Sequence, residues 1–195
     1  MWPSSSARSW QDIVRQKQTA RTEALKTAST PVDSHIVYLS ASAPEIPRRI
    51  ASGEWTASEV LEAYISQAAV AHASTNCITE VLFEEARREA QALDQYFQEQ
   101  KQLKGPLHGV PVSFKDLFNI KGCDSTVGHT QNADRPASTD AEVVKLVRQA
   151  GGIPLAKTNI SQCMMFFDQN YGPAPLPFRA HELPERLKFG YYTSG

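Results

Sequence analysis

A chain of 195 residues is long enough for one ordinary domain, and 41% hydrophobic with 21% charged residues is a globular composition, not that of a disordered tail. The formal net charge of -1 gives no long-range field for nucleic acid or an anionic membrane, and basic residues are interleaved with acids, as in Glu84-Glu85-Ala86-Arg87-Arg88-Glu89. Cys77, Cys123 and Cys163 lie far apart and form no C-x-x-C pair, which argues against a disulfide framework or a zinc site. The opening residues lack the apolar core of a signal peptide, and no apolar run reaches the roughly 18 residues that a membrane helix needs. These features predict a cytoplasmic protein with no membrane span, no metal, no cofactor and no nucleic-acid partner.

Residues 1–8 are Ser-rich and predict a disordered N-terminus. A surface helix starts from Ser9, which has capping-box spacing to Asp12, with Ile13, Ala20 and Ala24 on one face. Residues 29–48, punctuated by Pro31, Pro44 and Pro47, read as a linker or extended arm. Thr56 and Glu59 then form a capping box for a second helix, with Val60, Tyr64, Ala68 and Ala71 at helical spacing. Ile78 to Phe83 is branched and apolar, suited to a short strand. A third helix runs from about Glu84 to Glu99, its apolar stripe made by Ala86, Ala90, Leu93 and Phe97.

From Gly105 the character changes. Gly105-Pro106-Leu107-His108-Gly109-Val110-Pro111 is a turn that leads into Val112-Ser113-Phe114, a buried strand end. A polar loop follows, carrying Gly122 and Gly128. The fourth helix is expected to open at Thr139 with Glu142 as its capping partner. Val143, Leu146, Val147 and Ala150 would form its buried face, and Gly151 its C′ residue. Ile153 to Ala156 reads as another strand, so that helix, glycine pair and strand punctuate an α/β layer fold. From Tyr171 the prolines and glycines of Gly172-Pro173-Ala174-Pro175-Leu176-Pro177 cannot continue a helix or a central strand.

Lys115 is the residue with the most chemical promise. A lysine at the mouth of a buried strand can be desolvated into a usable base; the plainer reading is that Lys115 and Asp116 are a solvated pair at a strand end. The five histidines show no H-E-x-x-H spacing, and neither G-x-G-x-x-G nor a P-loop is present. A Cys–His nucleophile built on Cys123 or Cys163 has no local feature in its support.

The string Gly105-Pro106-Leu107-His108-Gly109-Val110-Pro111-Val112-Ser113-Phe114-Lys115-Asp116, followed by Asn119-Ile120-Lys121-Gly122, closely resembles the first signature block of the amidase-signature enzymes. Ala51-Ser52-Gly53-Glu54-Trp55-Thr56-Ala57-Ser58-Glu59-Val60 and Thr75-Asn76-Cys77-Ile78-Thr79-Glu80 resemble fungal acetamidase-like members, and Ala156-Lys157-Thr158-Asn159-Ile160 resembles the family's Ala-Lys-Thr-Asn stretch. The resemblance covers about residues 10–168. It implies an α/β fold: the N-terminal helices and the first strands of a mixed sheet, with residues 9–168 as the N-terminal part of the domain. It also implies hydrolysis of small linear amides by acyl transfer. In that chemistry a neutral lysine takes a proton from a serine in a cis peptide, which relays to a nucleophilic serine, and glycine-rich backbone N–H groups hold the oxyanion.

By this resemblance Lys115 occupies the general-base position, Thr126 and Gly128 match the loop that approaches the substrate, and Met164 and Met165 stand where the pocket wall begins. For the two methionines plain core packing is an equal reading. The sequence departs from the family after Lys157. The only serines there are Ser161 and Ser194, and neither belongs to a Gly-Gly-Ser-Ser-Gly segment, so nucleophile and relay serines are absent. Residues 169–195 resemble a much later part of the family, joined near Asn170–Tyr171. The expectation is an amidase-family chain that does not itself hydrolyse amides. Alternatives are a non-catalytic fragment that associates with an intact paralogue, and the product of a defective gene model.

Overall fold

The computed structural model describes residues 9–160, and Met164, Met165 and the proline-rich tail lie outside them. Helix α1, Trp10–Leu25, is capped by Ser9, whose Oγ accepts the Asp12 N–H at 3.2 Å. It buries no residue completely. Its half-buried face is Ile13, Val14, Lys17, Arg21, Ala24 and Leu25, whereas Ala20, expected on that face, is exposed.

The expected linker at 29–48 is instead largely helical. A short 3-10 turn at Asp33–His35 leads into α2, Ile36–Leu39, and α3, Glu45–Ala51, follows. The prolines are compatible with this because Pro44 stands at the N-cap of α3 and Pro47 in its first turn, where the lost N–H costs nothing. Ile46 and Ile50 from α3 are core residues.

Helix α4, Ala57–Thr75, carries the expected capping box: Thr56 and Glu59 satisfy each other's backbone N–H groups. Asp94 adds a second cap, accepting the Ala57 and Ser58 N–H groups at 2.6 and 3.1 Å. The helix ends on Asn76 in the left-handed region, φ 49°. Strand β1, Ile78–Val81, is followed by α5, Phe83–Gln100, whose Phe83, Ala86, Ala90 and Leu93 are buried. Helices α4 and α5 pack together and enclose a core with Ile65, Val60, Leu61, Ile153 and Leu155.

Strand β2, Pro111–Lys115, and strand β3, Ile153–Thr158, are parallel neighbours, with β1 antiparallel on the other side of β3. The connection between β2 and β3 contains α6, Glu142–Gln149. This helix is capped at Ala141 with no side-chain hydrogen bond, so the expected Thr139–Glu142 box does not form. Its buried residue is Val144; Val143 and Leu146 are 40% and 55% exposed, contrary to expectation. The helix cap lies two residues later than expected, at Ala141 and not Thr139, and of the adjacent valines it is Val144 that meets the sheet. Phe114, Ile120, Leu82 and Val144 make a second small core under it.

The signature turn is locked against the end of α6. Gly151 has φ +89°, the expected C′ conformation, and its N–H donates to the Arg148 carbonyl at 3.1 Å. The Gly109 N–H donates to the Gly151 carbonyl at 3.0 Å, and a Cβ at Gly151 would lie 2.7 Å from His108 Cα. His108 is fully buried, and its Nδ1 accepts the Lys104 N–H at 3.0 Å. The observed architecture is thus α/β, with a mixed three-stranded sheet among the described residues.

Candidate functional site

Alternation along β2 decides what each side chain meets. Phe114 and Asp116 are buried on one face, while Ser113 and Lys115 are exposed on the other. Lys115 ends the strand in register with Thr158, and its Nζ donates to the Asn159 carbonyl at 2.9 Å. Asn159 is itself fixed: its N–H donates to the Cys77 carbonyl at 2.8 Å and its Nδ2 to the Asn76 carbonyl at 3.2 Å. The acceptor for Lys115 is therefore tied to the left-handed terminus of α4.

Asp116 organises the loop that follows. Its Oδ2 accepts the Thr126 N–H at 3.1 Å and stands very close to Thr126 Oγ1. Its carbonyl accepts the Val127 N–H at 3.4 Å, and the Gly128 N–H donates to Thr126 Oγ1 at 3.2 Å. Val127 and Gly128 both have positive φ, 51° and 77°. Two consecutive left-handed residues make a sharp turn that a non-glycine residue enters only when its surroundings hold it there. Thr126 thus bonds Asp116 directly and Gly128 reaches it through Thr126 Oγ1, while Lys115, next to Asp116 in the chain, points to the other face of the strand.

Beneath this loop lies a charge network that sequence reasoning does not single out. Lys157 is wholly buried, and its Nζ contacts the Asp124 carbonyl closely, Ser125 Oγ at 2.7 Å and Asp116 Oδ1 at 3.2 Å. The last contact is an ion pair out of hydrogen-bond alignment, and Asp116 Oδ1 has no hydrogen-bond partner among the described residues. Asp124, also buried, accepts the Asp134 and Arg135 N–H groups at 2.6 and 2.9 Å. Lys17 from α1 reaches both Asp124 at 3.1 Å and Glu80 at 2.6 Å. Burial alone would lower the Lys17 ammonium; Glu80 and Asp124 outweigh it and raise it. The sequence does hold a signal for Lys157: a charged residue continues the apolar run Ile153–Ala156, and a charge in a buried strand must be paired.

Ser125 is not an activated nucleophile in this arrangement. Its hydroxyl donates to the Phe118 carbonyl at 3.2 Å, and its oxygen faces the Lys157 ammonium, which has no lone pair to accept a proton. Cys123 is a poor alternative, since burial first and Glu80 second push its thiol up to about 11. Among the described residues no three His, Cys, Asp or Glu side chains are placed to hold a metal ion, and no helix is long and apolar enough to cross a membrane. An open groove of about 510 Å³ lies on the exposed side of the sheet, walled by Tyr64, Ala68, Ile78, Ser113, Ala156 and Thr158 among others.

Comparison with known proteins finds the Amidase family over residues 59–182. The chain is 43% identical over 162 residues to Amidase 1 of Gibberella moniliformis, an alignment that takes in 82% of this chain and 31% of that protein. It is 32% identical over 133 residues to an acetamidase of Emericella nidulans, 68% of this chain and 24% of the relative. Among solved structures, a fatty acid amide hydrolase superposes with TM-score 0.65 at 24% identity, over 82% of this chain and 28% of that one, a likeness of fold alone. The native peptide amidase of Stenotrophomonas maltophilia superposes with TM-score 0.57 at 28% identity, over 64% of this chain and 26% of that one. The chain thus spans less than a third of the length of these relatives.

Proposed function

From the premise that this chain belongs to the amidase family, we propose that it carries the lysine side of an amide-hydrolysing centre and that these 195 residues alone do not hydrolyse amides. Lys115 is the general-base position, Thr126 and Gly128 border the substrate, and the substrate class is a small linear amide. Met164 and Met165 are assigned to the pocket wall. Residues 9–168 are the N-terminal part of the domain, and residues 169–195 a joined tail. A cytoplasmic location belongs to the same reading.

The observation that carries it is Lys115 at the carboxyl end of β2, held by the Asn159 carbonyl, beside the turn built on Asp116. In the proposed chemistry a lysine so placed needs a relay hydroxyl and, beyond it, a nucleophilic hydroxyl to activate. No Gly-Gly-Ser-Ser-Gly segment supplies one, and Ser125 is committed to Phe118 and Lys157. Loss of the nucleophile in a serine hydrolase typically costs on the order of a million-fold in turnover. Incubation of the purified chain with acetamide and an aryl amide should release no ammonia above the buffer rate. A fluorophosphonate probe should leave every serine unlabelled. Ammonia release, or labelling at Ser113, Ser125 or Ser161, refutes inactivity.

A second reading, association with an intact amidase paralogue, is favoured by the sheet itself: β2 is an edge strand among the described residues, with the open groove beside it. Co-expression of the chain with such a paralogue, followed by size-exclusion chromatography, tests this reading. Separate elution of the two chains at micromolar concentration rejects it.

A further inference from the structure

Two lysines brace the ends of β2 and β3 from opposite faces of the sheet. Lys115, on the exposed face, crosses from β2 to the Asn159 carbonyl just beyond β3. Lys157, on the buried face, crosses from β3 to Asp116 just beyond β2. The strand register places them one step apart, Phe114 opposite Lys157 and Lys115 opposite Thr158. Between the two crossings, the Asp116 N–H donates to the Thr158 carbonyl at 2.9 Å.

We propose that the buried Lys157–Asp116 pair is a positioning device for Lys115, fixing both the strand end that carries it and the Thr126–Gly128 turn beside it. This rests on the reading of Lys115 as the base position. The geometry gives Lys157 no other evident task. It is wholly buried, where an ammonium is costly unless it is paired and hydrogen-bonded. The Asp124 carbonyl and Ser125 Oγ accept two of its protons, and the Asp116 Oδ1 charge faces it as an ion-pair partner at 3.2 Å. Apolar packing alone would be met by leucine or methionine at this position. A lysine is needed because it gathers three points of the loop chain, Asp116 and the pair Asp124-Ser125, onto one atom.

Asp116 is correspondingly dependent. One carboxylate oxygen is occupied by Thr126 and the other faces only Lys157 among the described residues. Without the ammonium that oxygen is a buried, uncompensated charge. The carboxylate must then turn out, releasing Thr126, or the strand end must move. In either case the next residue, Lys115, loses its fixed approach to Asn159.

The experiment compares wild type with Ser125→Ala, which removes one acceptor at a half-buried position, and with the double variant Lys157→Met/Asp116→Asn, which removes both charges together. Two quantities are read by mass spectrometry: amide hydrogen exchange in the peptide containing Thr126–Gly128, and the acetylation rate of Lys115 relative to that of exposed Lys101 in the same sample. A charge-assisted hydrogen bond is worth enough that its loss speeds local opening about tenfold. The double variant should therefore show about tenfold faster exchange in the loop and a changed Lys115 to Lys101 ratio, with Ser125→Ala moving both in the same direction by less. Faster loop exchange with an unchanged ratio would make the pair a loop anchor only and overturns the proposal. Unchanged values for both also overturn it, and Ser125→Ala decides by itself where the double variant does not fold. Neither readout uses amide turnover. Ammonia release by the wild type would therefore refute inactivity and leave this result standing, whereas an unchanged ratio would refute positioning alone.

Discussion

Asp94, on α5, caps α4 across the helix pair: its two carboxylate oxygens take the first two free N–H groups of α4, Ala57 and Ser58, at 2.6 and 3.1 Å, and the Ser58 hydroxyl at 2.5 Å. Together with the Thr56–Glu59 box, this leaves the start of α4 fully provided with acceptors and sets the registry of the two helices whose shared core supports β3. Replacement Asp94→Ala should destabilise the protein by about 1–2 kcal/mol, read as an earlier urea midpoint at an unchanged slope. Asp94→Asn, which keeps an acceptor, should lose less. Equal midpoints for wild type and Asp94→Ala would mean that Thr56 and Glu59 alone suffice.

A side chain at Gly151 has no room. Its φ of +89° is strained for any L-residue, and the new Cβ would press on the His108 backbone at 2.7 Å from Cα and 3.0 Å from N. Neither atom belongs to a flexible side-chain end that could swing away. Gly151→Ala should cost about 2–4 kcal/mol, from the conformation and the forced shift of the signature turn together. Thermal unfolding of the variant would measure it, and a melting temperature within a degree or so of wild type would contradict this packing.

Burial pushes the His108 imidazole below the ordinary histidine range. Its Nδ1 is already an acceptor for the Lys104 N–H, and its Nε2 has no partner among the described residues. A base whose folded value is depressed binds its proton more readily in the unfolded chain. Stability is therefore complete above the unfolded value, about 6.5, and falls as the pH drops from there toward the folded value, by up to about 1.4 kcal/mol per pH unit. His72, lowered chiefly by burial and then by Arg21, acts in the same direction. Urea titrations at neutral and mildly acidic pH should show this loss, and His108→Asn should flatten it. An identical pH slope in the variant would assign the effect elsewhere.

Cys123 should be slow to modify. With its thiol raised to about 11, chiefly by burial, only on the order of one molecule in a thousand carries the thiolate at pH 8. A disulfide reagent at that pH should label Cys123 much more slowly in the native protein than in urea. Rapid native labelling at Cys123, located by peptide mapping, would indicate that the loop from Gly122 opens readily.

Much of the fold is legible in the amino-acid sequence, and the exceptions have physical causes. The Thr56–Glu59 box, the α5 stripe and the Gly151 stop are local signals, fixed by residues within a few positions of one another, and all three occur as expected. The α3 segment escapes a sequence reading because proline at a helix start resembles proline in a linker. The buried face of α6 is ambiguous because Val143 and Val144 are equally apolar, and only the helix start, which no capping side chain marks, tells which one turns inward. At the site, Lys115, Thr126 and Gly128 can be placed along the chain, but what ties Thr126 and Gly128 to the strand end is Asp116. Its partners at Thr126 and Lys157 are distant in sequence, and pairing between distant residues leaves no local pattern.

The docking of α1 buries no side chain completely and leans on charged contacts, so it should be the first to yield. The helix has no fully buried residue, and its inner face is crossed by two basic side chains. Lys17 bridges Glu80 and Asp124, and Arg21 Nη1 donates to the Ile78 carbonyl at 3.1 Å on β1. A helix held in this way depends on charge. Lys17→Met keeps the aliphatic stem and removes both ion pairs, leaving the buried Asp124 carboxylate with only its backbone donors and the packing of Lys157. The expected loss is about 1–3 kcal/mol, concentrated on α1 and the 124–135 loop. Hydrogen exchange should accelerate in peptides from 10–25 while α4 and α5 keep their protection. The sign of the pH effect follows from the raised Lys17 value: its contribution is complete below the unfolded lysine value, about 10.4, and is lost as pH rises through the folded one, so α1 should loosen in strong alkali before the core does. If α1 and the α4–α5 core exchange together in Lys17→Met, the helix is an integral part of the cooperative unit and not a strap fastened by charge.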